Sequence, residues 1–381
     1  MTRVPTESRL HALDHLRATM MLLGVVIHSA VSYMVFEPDL IWPYRDPATS
    51  SLFDVLVGLI HSFRMPIFFL MSGFFAALIY DKRGAKSFAG NRIKRILLPF
   101  LVGWPLIFPI IFLGFSAAIF QLGKEAYDNF INTPLDWLIT LWHFWFIYYL
   151  LMFYALTLLF KEFPQPVKWK QFSESFIRFG VGKLQGLFLL GLVSALTFFP
   201  MKSGALDSDI RWAPNLGIFL AYGFIYWCGW KLYGQRDLLA RTNRYTYHYL
   251  FLAILILPIA SYFLVQVVKS PELSRPFPHL WAALSNGLLM WALIFGITGL
   301  FLRIFNTYNS KARYLTDSAY WVYLIHLPIA IWTTSQLTHL DLSAGIKFTI
   351  TFGVTISISL LSYHLFVRRT FIGFWLNGKR A

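Results

Sequence analysis

Apolar runs of about 20 residues recur along almost the whole chain, and that recurrence constrains the fold more than any single motif. A helix rises 1.5 Å per residue, so a run of ~20 residues crosses the ~30 Å hydrocarbon core of a bilayer. Ten such segments are legible: 17–36, 52–80, 96–120, 135–160, 184–200, 213–233, 248–268, 279–303, 319–335 and 345–366. The composition agrees. Residues are 57% hydrophobic and only 13% charged, where a soluble domain carries about 25% charge. The expected fold is an all-α polytopic membrane protein, with ten transmembrane helices forming one domain over 1–381. No internal repeat, low-complexity tract or soluble domain is apparent. The second segment exceeds what a bilayer needs and is expected to tilt or break near Pro66. The longest loop, 161–183, is basic. The first run follows a polar leader and has no small-residue cleavage site, so it is expected to stay as a helix.

The charged minority is basic, with 33 Lys and Arg against 18 Asp and Glu, a net charge of +15. Nucleic-acid binders are basic too, but these bases sit in short loops between apolar runs, which reads as topology. No nucleic-acid partner is expected. With the N-terminus inside, the inner segments hold 23 bases, among them Lys82, Arg83, Arg92, Lys94 and Arg95. The outer loops hold six: Arg45, Lys124, Lys202, Arg211, Lys269 and Arg275. Arg17, Arg64, Lys231 and Lys347 fall in spans or at their edges. That split places both termini in the cytoplasm, on the positive-inside rule. The single cysteine, Cys228, excludes an intrachain disulfide and sits in a helix-like aromatic context, where a packed structural thiol is expected.

Ionisable groups inside spans are costly and mark candidate sites. Arg17 and His28 are 11 residues apart, which puts them on one helix face about 16 Å apart along the axis. Asp14, one turn before Arg17, is placed to pair with it and too far away to orient His28. In the second segment, "IHSFRMPIFFLMSGFF", His61 and Arg64 stand at i and i+3 on one face. His143 and His326 lie about 12 and 10 Å inside their own segments. Four histidines from four helices are thus expected near the bilayer middle; His28 needs a partner from another helix, and the alternative for any single one is a structural histidine bonded to a backbone carbonyl. No HxxxH or HExxH spacing falls inside the ten segments, so no metal is expected. Ser72, beside Gly73, reads as close helix packing. The aromatics of "WHFWFIYYL" read as core, with a sugar-stacking groove as the alternative. "NRIKRILLPF" alone reads as anchoring at the inner surface.

Taken together, "LDHLRATMMLLGVVIH", "HSFRMPIFFLMSGFF", the Arg-x-x-Arg of Arg92 and Arg95, "HFWFIYYLL" and "YWVYLIHLPI" resemble the integral-membrane acyltransferase-3 family. The likeness covers most of the chain and is nearest to the branch that succinylates osmoregulated periplasmic glucans. It implies a multi-pass enzyme of the bacterial inner membrane. It also implies an O-acyltransferase that takes an acyl group, succinyl in this branch, from cytoplasmic acyl-coenzyme A. No cofactor beyond that co-substrate is implied. The acceptor would be a hydroxyl of periplasmic glucan, with membrane lipid as the surrounding partner. On that reading Arg17, Arg64, Arg92 and Arg95 hold the donor. His28 activates the hydroxyl or transiently carries the acyl group. His61 and His143 orient it or bind the oxyanion, and His326 does the same or packs. Two alternatives stay open at this stage: O-acetylation of another surface polysaccharide or lipid-linked sugar, and a sugar or lipid transporter using the histidines as a proton relay. The near-absence of acids within the spans, with Asp54 and Asp136 at outer edges, speaks against the transporter.

Overall fold

The computed structural model describes residues 6–36, 42–134, 139–161, 163–269, 276–305 and 310–377, and side chains within these except for 6–10 and 310–312. Arg3, Arg275, Lys379, Arg380 and Asp136 lie outside the described residues. The described residues form helices and connecting turns, with no strand among them. In chain order the helices are α1 Thr6–Ala30, α2 Ser51–Arg92, α3 Leu98–Phe120, α4 Lys124–Ile131, α5 Trp145–Lys161, α6 Val167–Gly182 and α7 Gly186–Phe198. They continue with α8 Leu216–Gly234, α9 Leu238–Arg244, α10 Thr246–Lys269, α11 Pro276–Ile304, α12 Ser310–Leu337, α13 Ala344–Ser362 and α14 Phe371–Asn377.

Among the described residues, six helical stretches are long and apolar enough to cross a membrane, or seven if α6 and α7, bent by 114° at their junction, form one span. The chain is a multi-pass helical membrane protein. The expected second and third segments are joined in one helical run, Ser51–Phe120, of 70 residues. The expected fifth is the 13-residue α7.

Two local expectations are corrected. α2 runs through Pro66, and its backbone leaves helical geometry at Gly84, with φ 73° and ψ 172°. That φ is open to glycine and strained for residues with a Cβ, so the bend falls there. The basic "loop" 161–183 contains α6. Its Trp169, Phe172, Phe176 and Phe179 recur at helical spacing, a stripe that gives an amphipathic helix.

Two packing groups build the bundle. α1 lies against α2 and α12, and α12 also against α3 and α13; α11 lies against α10 and α7. α2 joins the groups by crossing α8 at backbone contact. A Cβ on Gly73 would strike the Tyr226 carbonyl, and one on Gly229 would strike the Leu70 carbonyl. Small residues at such crossings give membrane helices the van der Waals contact that a hydrophobic force cannot supply in lipid. Gly73 therefore does the packing expected of its neighbour Ser72, whose side chain faces a cavity instead. Cys228, fully buried on α8 beside this crossing, is a packed thiol.

Candidate active site

Two cavities lie along α1, and they share part of a wall. The first opens at the end of the bundle that carries Lys82–Arg95, and has a volume of about 520 Å³. Arg17, Lys82, Arg83, Arg92, Arg95 and Arg313 line it, against the acids Asp14 and Asp317. Asp14 sits 3.5 Å from Arg17, the pairing expected from their spacing. Arg313 is held at 3.1 Å by Asp317. The remaining cations have no such acid in the lining, which leaves a strongly anion-attracting chamber. The Arg92 guanidinium lies 5.0 Å over Phe88 and 4.5 Å over Tyr154, within cation–π range. Its Nε and Nη2 are buried without a hydrogen-bond partner. Arg95 sits on a π-helical turn, Ile93–Leu97, inserted between α2 and α3; such insertions cluster at functional sites. Ser72 also lines this chamber.

The second cavity has a volume of about 230 Å³, and its lining includes all four intramembrane histidines, His28, His61, His143 and His326, together with Arg64. The rings of His28 and His326 are 5.2 Å apart, and those of His326 and His143 are 5.3 Å apart. His326 is thus the centre of the cluster, a place the sequence did not assign to it. Arg64, grouped at the sequence level with the donor-binding arginines, is located here and not with Arg17, Arg92 and Arg95.

Backbone carbonyls fix the histidine protons, because a carbonyl can only accept. His326 Nδ1 donates to the Tyr323 carbonyl at 2.7 Å, and its Nε2 is left buried and unpartnered. His143 Nε2 donates to the Leu324 carbonyl at 3.2 Å, leaving Nδ1 unpartnered. His61 Nε2 donates to the Leu206 carbonyl at 2.9 Å. His28 Nδ1 is buried with no partner. In the neutral form, His326 and His143 each keep a free lone pair, the atom a general base needs. Arg64 Nε is likewise buried and unsatisfied, and Arg64 has no ion pair among the described residues. No group of His, Cys, Asp or Glu among the described residues could hold a metal ion.

Several supporting residues were not legible in the sequence. Gly24 lies one turn before His28, and a Cβ there would strike Arg64 Nη1 and come within 3.7 Å of His326 Nε2. Glycine is what lets the guanidinium lie against α1. Trp42 stacks on His28 at 5.6 Å and its indole N–H donates to Ser32 at 2.8 Å. Its loop is fastened by Lys347, whose ammonium lies 2.9 Å from Asp46. Trp142, just before His143, has a left-handed φ of 45°, a strained state for a bulky residue that costs of order 1–3 kcal/mol. Leu141, before it, donates its N–H to the Ile210 carbonyl at 2.7 Å.

The segment 199–215, between α7 and α8, contributes Asp207 to the lining. Its carboxylate accepts from the Ser203 hydroxyl at 3.0 Å, and burial pushes it above the usual carboxylate range. Trp142, Trp145 and Phe146 line the cavity too, so part of "WHFWFIYYL" faces the site and not only the core. Tyr149 is core and donates to Asp209 at 2.9 Å.

The two chambers have Met21, Phe68 and Phe146 in common in their linings. Phe68 and Phe146 meet edge to face with ring centres 4.4 Å apart. A cationic vestibule and a histidine chamber are thus separated by three apolar side chains.

Comparison with known proteins supplies the context. The acyltransferase-3 family model, described as an acyltransferase domain, matches residues 10–364. Curated relatives include the glucans biosynthesis protein C of Salmonella gallinarum, 24% identical over 396 residues, covering 100% of this chain and 97% of that protein. The protein of the same name from Escherichia coli is 24% identical over 392 residues, with the same coverage. No solved structure matches the chain. The chain belongs to the acyltransferase-3 family.

Proposed function

We propose that this member of the acyltransferase-3 family moves an acyl group, succinyl in the first instance, from acyl-coenzyme A to a hydroxyl of a periplasmic glucan. The single observation that carries the reading is the common wall of Met21, Phe68 and Phe146 between a cationic vestibule and a histidine chamber. Coenzyme A is an anionic head on a long apolar-tolerant arm. The unpartnered guanidinium atoms of Arg92, with Arg17 and Arg95 beside it, suit its phosphates. The arm would displace Phe68 and Phe146 and bring the thioester among the histidines. The name of the relatives supports a glucan as acceptor.

In the proposed reaction, His28 takes the proton of the acceptor hydroxyl as the oxygen attacks the thioester carbonyl. A C–O bond forms, and the carbonyl oxygen gains negative charge that Arg64 meets. The C–S bond then breaks, and the coenzyme A sulfur leaves with the proton returned from His28. His326, its Nδ1–H committed to backbone, packs its ring against that of His28, with centres 5.2 Å apart, and positions it by that contact. His61 and His143 are committed to backbone carbonyls and shape the chamber. Arg64 therefore serves the reacting carbonyl in this account, while Arg17, Arg92 and Arg95 serve the donor's phosphates. For this reaction the vestibule must face the cytoplasm of a bacterial inner membrane, where acyl-coenzyme A is made; the bases of Lys82–Arg95 at its mouth support that orientation by the positive-inside rule.

Vesicles with the vestibule facing inward test this. Labelled succinyl-coenzyme A is trapped inside and neutral glucan is added outside. Label on the glucan with wild type, and none with His28→Ala, is the expected result. No transfer from succinyl- or acetyl-coenzyme A by folded protein would reject the reading, and transfer from acetyl alone would change the acyl group.

A further inference from the structure

We propose that a groove between α5, α6 and α8 is a binding site for an anionic phospholipid. The groove has a volume of about 590 Å³ and is walled by aromatic side chains, among them Phe153, Trp169, Phe172, Phe224 and Trp227. Lys161 and Lys231 stand at one end of it. The same two lysines, with Gln165 and Trp230, also line a neighbouring cavity of about 1120 Å³, to which Lys170, Arg178 and Arg236 are added. An apolar trough thus runs directly into a cationic basin, and the two lysines mark the junction. The Lys161 ammonium is held there over Trp230, 5.2 Å from its ring.

The basin contains five bases against Asp81 and Glu174. Arg178 spends part of its charge on Asp237, 3.7 Å away, which leaves Lys170 and Arg236 to add to the attraction of the two junction lysines for an anion. None of the residues assigned to transfer lines the trough or the basin. α6 fits a membrane surface: Trp169 and Phe172 are exposed, with Lys168 and Lys170 interleaved.

The chemistry selects the occupant. Acyl tails suit the aromatic trough, and a phosphate suits the lysines at its end. A zwitterionic headgroup brings a cation of its own into a basin already rich in bases, so a lipid of net negative charge is favoured. A soluble phosphate leaves the trough unfilled, and an uncharged apolar molecule has no use for the lysines.

The test uses the full chain, purified in mild detergent and stripped of lipid. Thermal stability and native mass spectra are followed while phosphatidylglycerol, phosphatidylcholine or inorganic phosphate is added. Phosphatidylglycerol is expected to bind saturably and raise Tm, with the other two inert. Lys161→Gln combined with Lys231→Gln should weaken binding about 25-fold, at about 1 kcal/mol per lysine. Removing two exposed bases of the same end that line neither cavity, Lys86→Gln with Lys94→Gln, should leave it within about twofold. Leu220→Trp fills the trough from an exposed position and should also weaken binding. Equal response to phosphatidylcholine, response to phosphate alone, or unchanged affinity in both groove variants would each overturn the proposal. The readout is binding, so it stands or falls apart from acyl transfer.

Discussion

Two cations sit deep in this protein, and they are treated in opposite ways. Lys347 is buried with every neighbour arranged for it. Its ammonium donates to both oxygens of Asp46, at 2.9 and 3.1 Å, and to the Thr338 carbonyl at 3.2 Å. Asp46 is satisfied in turn by the Tyr44 hydroxyl and the Ala48 N–H. Arg64 faces the histidine chamber with Nε buried and unsatisfied and no ion pair among the described residues. A buried charge without a partner costs several kcal/mol, so its retention needs a reason other than stability. The closed pair around Lys347 fastens the loop that sets Trp42 on His28. The open guanidinium is held ready for a partner that arrives with the substrate.

That contrast can be broken in several ways. The largest effect belongs to the histidine pair. His28→Ala is expected to reduce turnover about 10²- to 10⁴-fold, the range for a lost general base, and His326→Ala about 10²-fold through lost positioning of His28, while the folded fraction measured by thermal unfolding stays near wild type. Breaking the closed pair should do the reverse. Lys347→Met leaves Asp46 buried and alone, and should destabilise by about 3–5 kcal/mol, seen as a large fall in Tm. Asp46→Asn added to it should recover part of that loss, since no charge then remains.

A geometric test is smaller. Gly24→Leu pushes Arg64 off α1 and should cost about 10²-fold in turnover, with a smaller fall in Tm than Lys347→Met, because the nearest atom it meets is the far end of a flexible side chain. The smallest effect belongs to the vestibule. Arg92→Gln or Arg95→Gln should raise KM for the acyl donor about tenfold with kcat nearly kept, as for binding felt equally in ground and transition states.

Much of this was legible in the sequence, for identifiable reasons. Helical arithmetic paired Asp14 with Arg17 and brought histidines from separate segments to one depth, because both follow from rise and pitch. The same arithmetic could not say which neighbour a group meets. It put Arg64 on one face with His61, while the reading from the resemblance grouped it with the donor-binding arginines; the packing of α2 against α1 puts it in the histidine chamber. Trp42, Asp46 and Asp207 lie on connections whose paths have no periodicity to read. Lys347 did carry a signal: a cation at a span edge requires an acid, and few acids were available. α6 carried one as well in its aromatic stripe, masked by the bases between. The bend went to Gly84 and not to Pro66 because neighbouring helices can satisfy a backbone freed by proline, whereas a positive φ needs glycine.

The most direct measurement puts Arg64→Met beside wild type in two assays, thermal unfolding and acyl transfer. If the guanidinium waits for the reacting carbonyl, turnover falls about 10²- to 10³-fold, as for a lost oxyanion partner, and Tm stays level or rises because an unpaired buried charge is gone. A fall in Tm comparable to that of Lys347→Met, with the protein that remains folded still transferring at the wild-type rate, would make Arg64 a structural cation and contradict the account.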